Sequence, residues 1–494
     1  MMKINKIYLL ISLVVLSAGC SDDFLDRQPL DTINTENYPA NGEELVTLVN
    51  GAYQPMQRPK LYNLRMWTTD IIAGNSIVGA GGGTDGIETT NMANFVTSTD
   101  NAGALDLWRG PWPGILMSNI VLETAPTIEN IEEEILNRSM GEAYFLRAHY
   151  YNILATFFGD VPLVTVPQSS DDDLLPSRDP VADVYAQIIE DLTQASSLLP
   201  TKSSYGNENL GRVPRGAAFA LLAKVHLKLG NYQMALDAAT EVENLGYQLN
   251  ENYADNFSIN NENSIESIFE VQYAANAGED FWSDDNQSSW ASPFMGPRGA
   301  NFVAGGYGWN QPTEEFVSQY EEGDLRKDVT ILYEGGPQFD GKEYDSDFSN
   351  TGYNVRKFLV PLSEVSTFDN SPLNFPVLRF ADILLVKAEA LNELGRTSEA
   401  EDYLNMVRNR AGLEDITSGL SESEFQEAVL NERRIELAFE GQRWLDLIRV
   451  EDGQYGLDFL QSIGKNNAAQ KHLLFPIPQI ELDRNPNLTQ NPGY

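Results

Sequence analysis

Aromatic side chains beside amides and carboxylates are the most chemically suggestive feature of this 494-residue sequence. They occur in Gly-, Asn-, Ser- and Thr-rich stretches: RMWTTDIIAGN (65–75), FWSDDNQSSW (281–290) and GGYGWN (305–310). A sugar ring has an apolar C–H face and a polar rim, so its site needs a flat aromatic surface beside hydrogen-bonding groups. We therefore predict a ligand-binding site with eight candidate contacts: Trp67, Asp70, Asn75, Trp282, Trp290, Tyr307, Trp309 and Asn310. Each of them has an alternative interpretation as a loop anchor that folds inward.

Signals for an enzyme are weak. Neither G-x-S-x-G nor H-E-x-x-H occurs, and two of the three histidines, His149 and His226, lie in helical segments where a packed or surface role is expected. GGGTDG (81–86) fits G-x-G-x-x-G, but no long helix is predicted after it to carry a pyrophosphate, so a loop is favoured. With 72 acidic residues, some carboxylate pair always has glycosidase spacing, so that signal is uninformative. We predict no catalytic residue and no cofactor.

One acidic stretch has the composition of a calcium loop. DGKEYDSDFSN (340–350) clusters side-chain oxygens, but it lacks EF-hand spacing and the closing glutamate. A solvated acidic loop is the favoured interpretation, and we predict no metal site.

Charged residues alternate through ERRIELAFEGQRWLDLIR (432–449). Arg433 precedes Glu436 by three positions and Glu440 precedes Arg443 by three, a spacing that allows ion pairs along one helix. Buried Arg–Glu pairs that fix helix packing are favoured over a catalytic carboxylate pair. The closing FPIPQIELDRNPNL (475–488) is proline-rich and predicts an extended structural strap.

The charge balance is strongly acidic. Asp and Glu outnumber Lys and Arg by 72 to 33, which gives a formal net charge of −39. The acids are spread along the chain, so they predict a solvated acidic surface. This field repels phosphate backbones and argues against nucleic acid, an acidic polysaccharide or an anionic membrane face as the main partner.

The single cysteine, Cys20, follows a basic start and a short apolar run ending in small residues. Those are the marks of a secretory signal, and the run is too short for a comfortable membrane span. The boundary resembles a bacterial lipobox, although Leu16 stands four places before Cys20 instead of the usual three. We predict a signal over 1–19, lipidation at Cys20 and a tether over 20–40; an ordinary cleaved signal with an incidental cysteine is the alternative.

Helical periodicity dominates the remainder, 41–494, which we interpret as one domain. It predicts helices in 133–159 and 181–199, and two alike helix pairs in 219–242 and 384–407. Each pair has a glycine at its turn and an alanine five residues on, which is the packing logic of tetratricopeptide hairpins. Ser421 and Glu424 fit a capping box. The predicted fold is all-α dominated: a tetratricopeptide-like helix-hairpin scaffold with long irregular insertions near 60–114 and 250–375.

These pieces together resemble the SusD/RagB family of outer-membrane nutrient-binding lipoproteins. The matching stretches follow the family order along nearly the whole chain: CSDDFLD (20–26), GEAYFLRAHYYNILATFFGDVPL (141–163), ALLAKVHLKLGNYQMAL (220–236), PVLRFADILLVKAEALNELG (376–395), LNMVRNRAGL (404–413), ERRIELAFEGQRWLDLIR (432–449) and LFPIPQIELDRNPNLTQNPGY (474–494).

The resemblance implies a non-enzymatic protein that captures oligosaccharide and acts as the lid of a SusC-like TonB-dependent transporter. It also implies a lipid-anchored protein at the cell surface, with Asp22 and Asp23 resembling the acidic export signal after the anchoring cysteine. The same architecture capturing peptides, a glycosidase and a plain helical-repeat adaptor are the competing interpretations.

Overall fold

The computed structural model describes residues 38–79, 85–169, 174–275, 277, 280–283 and 285–494. Cys20, the predicted signal and most of the predicted tether lie outside the described residues. The described chain is dominated by helices: α1 Gly42–Tyr53, α2 Arg65–Ile72, α3 Ile87–Ala93, α4 Ala102–Arg109, α5 Trp112–Thr124, α6 Glu133–Phe158, α7 Val181–Leu198, α8 Arg215–Lys228, α9 Tyr232–Asn244, α10 Ala291–Met295, α11 Glu314–Val317, α12 Arg326–Thr330, α13 Phe380–Glu393, α14 Thr397–Arg410, α15 Glu422–Glu436, α16 Arg443–Arg449, α17 Gln454–Ser462 and α18 Gln479–Arg484.

Six short strands form three antiparallel pairs. They are β1 Ser76–Ile77, β2 Ser267–Val271, β3 Gln311–Pro312, β4 Ile331–Leu332, β5 Asn354–Val355 and β6 Phe375–Arg379. β1 pairs with β3, β2 with β6 and β4 with β5. The all-α dominated prediction is therefore confirmed.

Both predicted helix pairs are present. α8 turns into α9 at Gly230 with φ +70°, and α13 turns into α14 at Gly395 with φ +71°. That left-handed conformation is one that glycine adopts without a steric penalty. Ala235 and Ala400 are fully buried between the paired helices, and α9 also packs on α13, so the two hairpins share one core.

The predicted irregular insertion near 60–114 is wrong for most of its length. α2, α3 and α4 lie within it, and α5 begins in it. α2 is buried along all eight of its residues. Its polar side chains, such as Arg65 and Asp70, bond to partners in the core and not to water, so its polar composition did not mark a surface stretch. The second insertion, 250–375, contains only short helices and strands, in agreement with the prediction.

The expected ion pairs along one helix in 432–449 are also wrong, although buried pairing is confirmed. α15 ends at Glu436 and α16 begins at Arg443, because Phe439 (φ +63°) and Gly441 (φ +75°) turn the chain between them. Glu436 pairs instead with Arg379 (2.9 Å), Arg410 (2.6 Å) and Arg326 (3.2 Å). We call this set, together with Glu266, Glu432, Glu440, Asp324 and Lys357, the buried ion network.

The C-terminal segment packs on the core, which agrees with a structural role, but the prediction that it is extended is wrong over α18. The Phe475 ring stacks on Phe157 at 5.3 Å between ring centroids. Asn491 Nδ2 donates to the carbonyl oxygens of Phe158 and Phe475, at 3.0 and 2.7 Å. Within the described ranges, no helix is both long and apolar enough to span a bilayer.

Candidate functional site

The first predicted group, Trp67, Asp70 and Asn75, lies in the core with no exposed surface. Asp70 Oδ2 accepts from the Gly441 amide (2.8 Å) and its Oδ1 from Asn75 Nδ2 (2.9 Å). Arg434 Nε donates to Asn75 Oδ1 at 2.9 Å. These residues tie α2 to the turn between α15 and α16, so the anchor interpretation holds and direct ligand contact is wrong for all three. Burial raises the pKa of Asp70 to about 6.

Trp309 and Asn310 are buried as well and hold the second insertion against the first. Asn310 Oδ1 accepts from Ser76 Oγ, and the adjacent β3 pairs with β1. A Cβ added to Gly86 (φ +70°) would lie 2.4 Å from the Trp309 indole, so that loop packs directly on the ring. Both residues act as anchors in place of the predicted ligand contacts.

A chain of touching aromatic rings leads from this core to the surface. Phe294 packs on Trp309 at 5.3 Å, on Tyr307 at 5.4 Å and on Phe281 at 4.9 Å between ring centroids. Phe281 in turn supports Trp282 at 4.8 Å in an edge-to-face arrangement. The indole of Trp282 is 58% exposed, whereas every ring beneath it is buried or half-buried.

A second exposed ring rests on the same cluster of buried rings. Phe368 is 43% exposed and packs on the buried Trp290 at 5.4 Å. Trp290 also packs on Phe281 at 5.0 Å. We call the surface formed by exposed Trp282 and Phe368 and half-buried Tyr307 the aromatic patch. Trp290 supports it from below, so the predicted ligand contact is wrong for its buried side chain.

Hydrogen bonds from distant segments fix the loop that carries the patch. Asn63 Oδ1 accepts from the Trp290 amide (2.7 Å), and Asn63 Nδ2 donates to the Ser288 carbonyl (2.9 Å). The Ser289 amide donates to the Ser371 carbonyl at 2.8 Å, which joins this loop to the segment of Phe368. The scaffold therefore fixes residues 288–290, which lie beside the patch.

A polar pair borders the patch. Arg298 Nη2 lies 2.8 Å from Asp85 Oδ2, with the two side chains 49% and 52% exposed. Arg298 Nε also donates to the Tyr307 carbonyl at 3.2 Å. The Tyr307 loop bends tightly here: a Cβ on Gly306 (φ +86°) would lie 2.4 Å from the Pro297 carbonyl oxygen. An aromatic face beside charged hydrogen-bonding groups is what the C–H face and hydroxyl rim of a sugar require.

Sequence reasoning identified Trp282 and Tyr307 in this surface but missed Phe281, Phe294, Arg298 and Phe368. The only available signal for Phe368 was a lone aromatic in the polar stretch STFDNS (366–371). Among the described residues, no group of three or more His, Cys, Asp or Glu is placed to hold a metal ion.

Comparison with known proteins agrees with this architecture. The profile of the SusD family matches residues 243–494, and one described as starch-binding associating with outer membrane matches 23–227. SusD-like protein P2 of Formosa agariphila is 30% identical over 520 residues, covering 100% of this chain and 99% of its own.

Two solved structures share the fold. A laminarin binding SusD-like protein superposes with a TM-score of 0.79 at 28% identity, covering 92% of this chain and 100% of its own. A SusD superfamily protein of Parabacteroides distasonis gives 0.77 at 28% identity, covering 94% and 100%. Since the family profile covers half of the sequence and a 30% identical relative spans all of it, the chain belongs to the SusD family.

Proposed function

We propose that this protein is a non-enzymatic glycan-binding lipoprotein of the outer-membrane surface that captures oligosaccharide on the aromatic patch. The observation that carries the proposal is Trp282, an indole 58% exposed on a base of buried rings. Exposing an apolar indole face to water is unfavourable, so this exposure favours a ligand that covers the ring. The laminarin-binding relative of the same fold supports a glycan as that ligand.

The lipid anchor and the transporter partner are proposed from the family to which the chain belongs. We propose that lipid on Cys20 anchors the chain and that a SusC-like TonB-dependent transporter lies beneath it as partner. A glycan enclosed between lid and barrel would touch both proteins only in the closed state, so binding would favour closure. The ligand contacts proposed for this role are Trp282 and Tyr307, with Phe368 added from the structure.

Calorimetric titration of the soluble chain from Ser21 onward tests the proposal. The panel contains tri- and hexasaccharides of the laminarin, starch, xylan and mannan series, acidic oligosaccharides and short peptides. We expect one glycan series to bind without chain cleavage, and Trp282→Ala to weaken that binding at least about tenfold while the unfolding temperature stays unchanged. Leu325→Ala is the matched control, because Leu325 is 62% exposed and lies outside the patch.

Absence of glycan binding would contradict the proposal, and so would three other outcomes. Peptide binding in place of glycan binding would assign the patch to peptide capture. Release of shorter sugars that stops on substitution of one carboxylate would make the protein a glycosidase. Unchanged glycan affinity in Trp282→Ala would show that the aromatic patch does not bind the glycan.

A further inference from the structure

The loop that carries Trp282 also contributes Gln287 to a separate cleft of about 530 Å³. This cleft lies between α1, the 3-10 turn Gln54–Gln57, the segment 207–212 and strand β2. It shares no lining residue with the aromatic patch. Its volume is in the range of small-molecule sites, and no part of the proposed function uses it.

Five of the lining side chains are amides, and hydrogen bonds to the scaffold hold two of them at one end. Gln57 Nε2 donates to the Gln272 carbonyl at 2.7 Å, and Asn50 Oδ1 accepts from Arg212 Nη2 at 2.9 Å. Within the described part of the chain, Gln57 Oε1, Asn50 Nδ2 and the side-chain amide of Gln287 have no hydrogen-bond partner. The cleft therefore offers oriented donors and acceptors that no described protein group uses.

Two of the three charged side chains of the cleft, Arg212 and Glu270, already have partners. Arg212 Nη1 donates to Glu142 (2.9 Å) and its Nε to Asn209 Oδ1 (3.2 Å). Glu270 accepts from the Asn263 amide at 3.0 Å and from Asn374 Nδ2 at 2.9 Å. An anionic ligand would find no free guanidinium here and would meet the exposed carboxylate of Glu208. Neutral hydroxyl groups match the remaining amides.

The wall of the cleft also contains apolar side chains. The half-buried Tyr53 ring lies in the wall, whereas Phe269, 6.5 Å away between ring centroids, and Met56 also line the cleft but are buried. Leu210, 46% exposed, lies among the lining residues. Aromatic and aliphatic walls beside uncharged amides are suited to a sugar ring, which has both an apolar face and a polar rim.

We propose that this amide-lined cleft is a second binding site for neutral oligosaccharide, distinct from the aromatic patch. The inference rests on the proposed function, since it takes the same glycan as ligand. Two sites on one rigid chain would hold a polysaccharide at two points, which raises its apparent affinity above that of either site alone.

Hydrogen–deuterium exchange with the hexasaccharide that binds in the panel tests the cleft directly. In the unsubstituted chain we expect protection of both the 281–290 loop and segment 207–213. In Trp282→Ala only 207–213 should remain protected; in the double variant Asn50→Ala/Gln287→Ala only 281–290 should. The double variant should also bind the parent polysaccharide about three- to tenfold more weakly, the range of one or two lost hydrogen bonds.

Folding of the variants is checked by circular dichroism, and both substituted side chains are exposed. The bonds of Gln287 to its loop run through its backbone (3.1 Å to the Ala277 carbonyl, 2.9 Å from the Ala274 amide) and survive the change to alanine. Gln461→Ala, an exposed amide on α17, is the control. Saturating glycan without protection of 207–213, or protection unchanged in the double variant, would overturn the second site and leave the aromatic patch intact. If no glycan binds at all, the proposed function fails as well.

Discussion

Replacing Glu436 by glutamine should destabilise the fold strongly without changing the size of the side chain. Glu436 has no exposed surface, and its carboxylate pairs with Arg326, Arg379 and Arg410. Glutamine removes the charge and turns an NH₂ donor towards guanidinium donors. A buried cation that loses its anion keeps its desolvation cost, so the expected effect is large.

The contacts of Glu436 give the expected size of the loss in the free energy of unfolding. Three charge-assisted hydrogen bonds at about 1.5–3 kcal/mol each would total roughly 5–9 kcal/mol. Each arginine keeps another carboxylate, however: Glu266 still pairs with Arg379 and Arg410, and Asp324 with Arg326. We therefore expect the free energy of unfolding to fall by about 3–5 kcal/mol, the range measured when one member of a buried pair is removed.

Urea unfolding followed by circular dichroism and tryptophan fluorescence measures this loss. The matched control is Glu399→Gln, whose partner Arg396 is 2.6 Å away in an exposed pair, and which should leave the unfolding midpoint unchanged. A loss below about 1 kcal/mol for Glu436→Gln would refute the structural role of the network. It would also reopen a catalytic role for this carboxylate, which its burial and three cationic partners now oppose.

Three further predictions concern the scaffold. Stability should fall as pH drops below about 4.3, the ordinary pKa of a glutamate. Burial raises the folded-state pKa of Glu436, but Arg410, Arg379 and Arg326 outweigh burial and hold that pKa well below the ordinary value, so protonation removes stability. A urea midpoint independent of pH between 5 and 3 would contradict this. Gly230→Ala should cost about 1–2 kcal/mol of stability, and Gly441→Ala at least twice as much. Both glycines have a left-handed φ, but only at Gly441 would the added Cβ meet a backbone oxygen, that of Met66 at 2.6 Å. Equal thermal shifts would count against this prediction. Phe475→Ala should remove about 3–5 kcal/mol by emptying a buried ring position against Phe157, and a loss under 1 kcal/mol in chemical denaturation would mean that the C-terminal strap is not part of the core.

The candidate site was predictable in composition but only partly in its residues. The stretches around Trp282 and Tyr307 do reach the surface, and both residues remain predicted ligand contacts. Trp67 and Trp309 come from equally loop-like stretches, yet their rings meet edge to face at 6.5 Å inside the core. Nothing local distinguishes these two cases, because exposure depends on what the rest of the chain places over each ring.

The sequence by itself determined what depends on near neighbours along the chain. Helical periodicity, the turn glycines Gly230 and Gly395, the capping box at Ser421 and the acidic charge balance all act over a few residues or over the whole composition. They were sufficient for the helix-pair scaffold, whereas the family resemblance came from the motif stretches that follow the family order along the chain.

Only the tertiary structure decided which charged and aromatic side chains meet. Asp70 binds the amide of Gly441, 371 residues away, and Glu436 pairs with arginines from three other segments instead of a neighbour on its own helix. A buried polar group must find a partner wherever the fold brings one within about 3 Å, and that proximity is a property of packing, not of sequence spacing. For the same reason, the packing of the other rings decided that Trp282 remains exposed while Trp67 and Trp309 are buried.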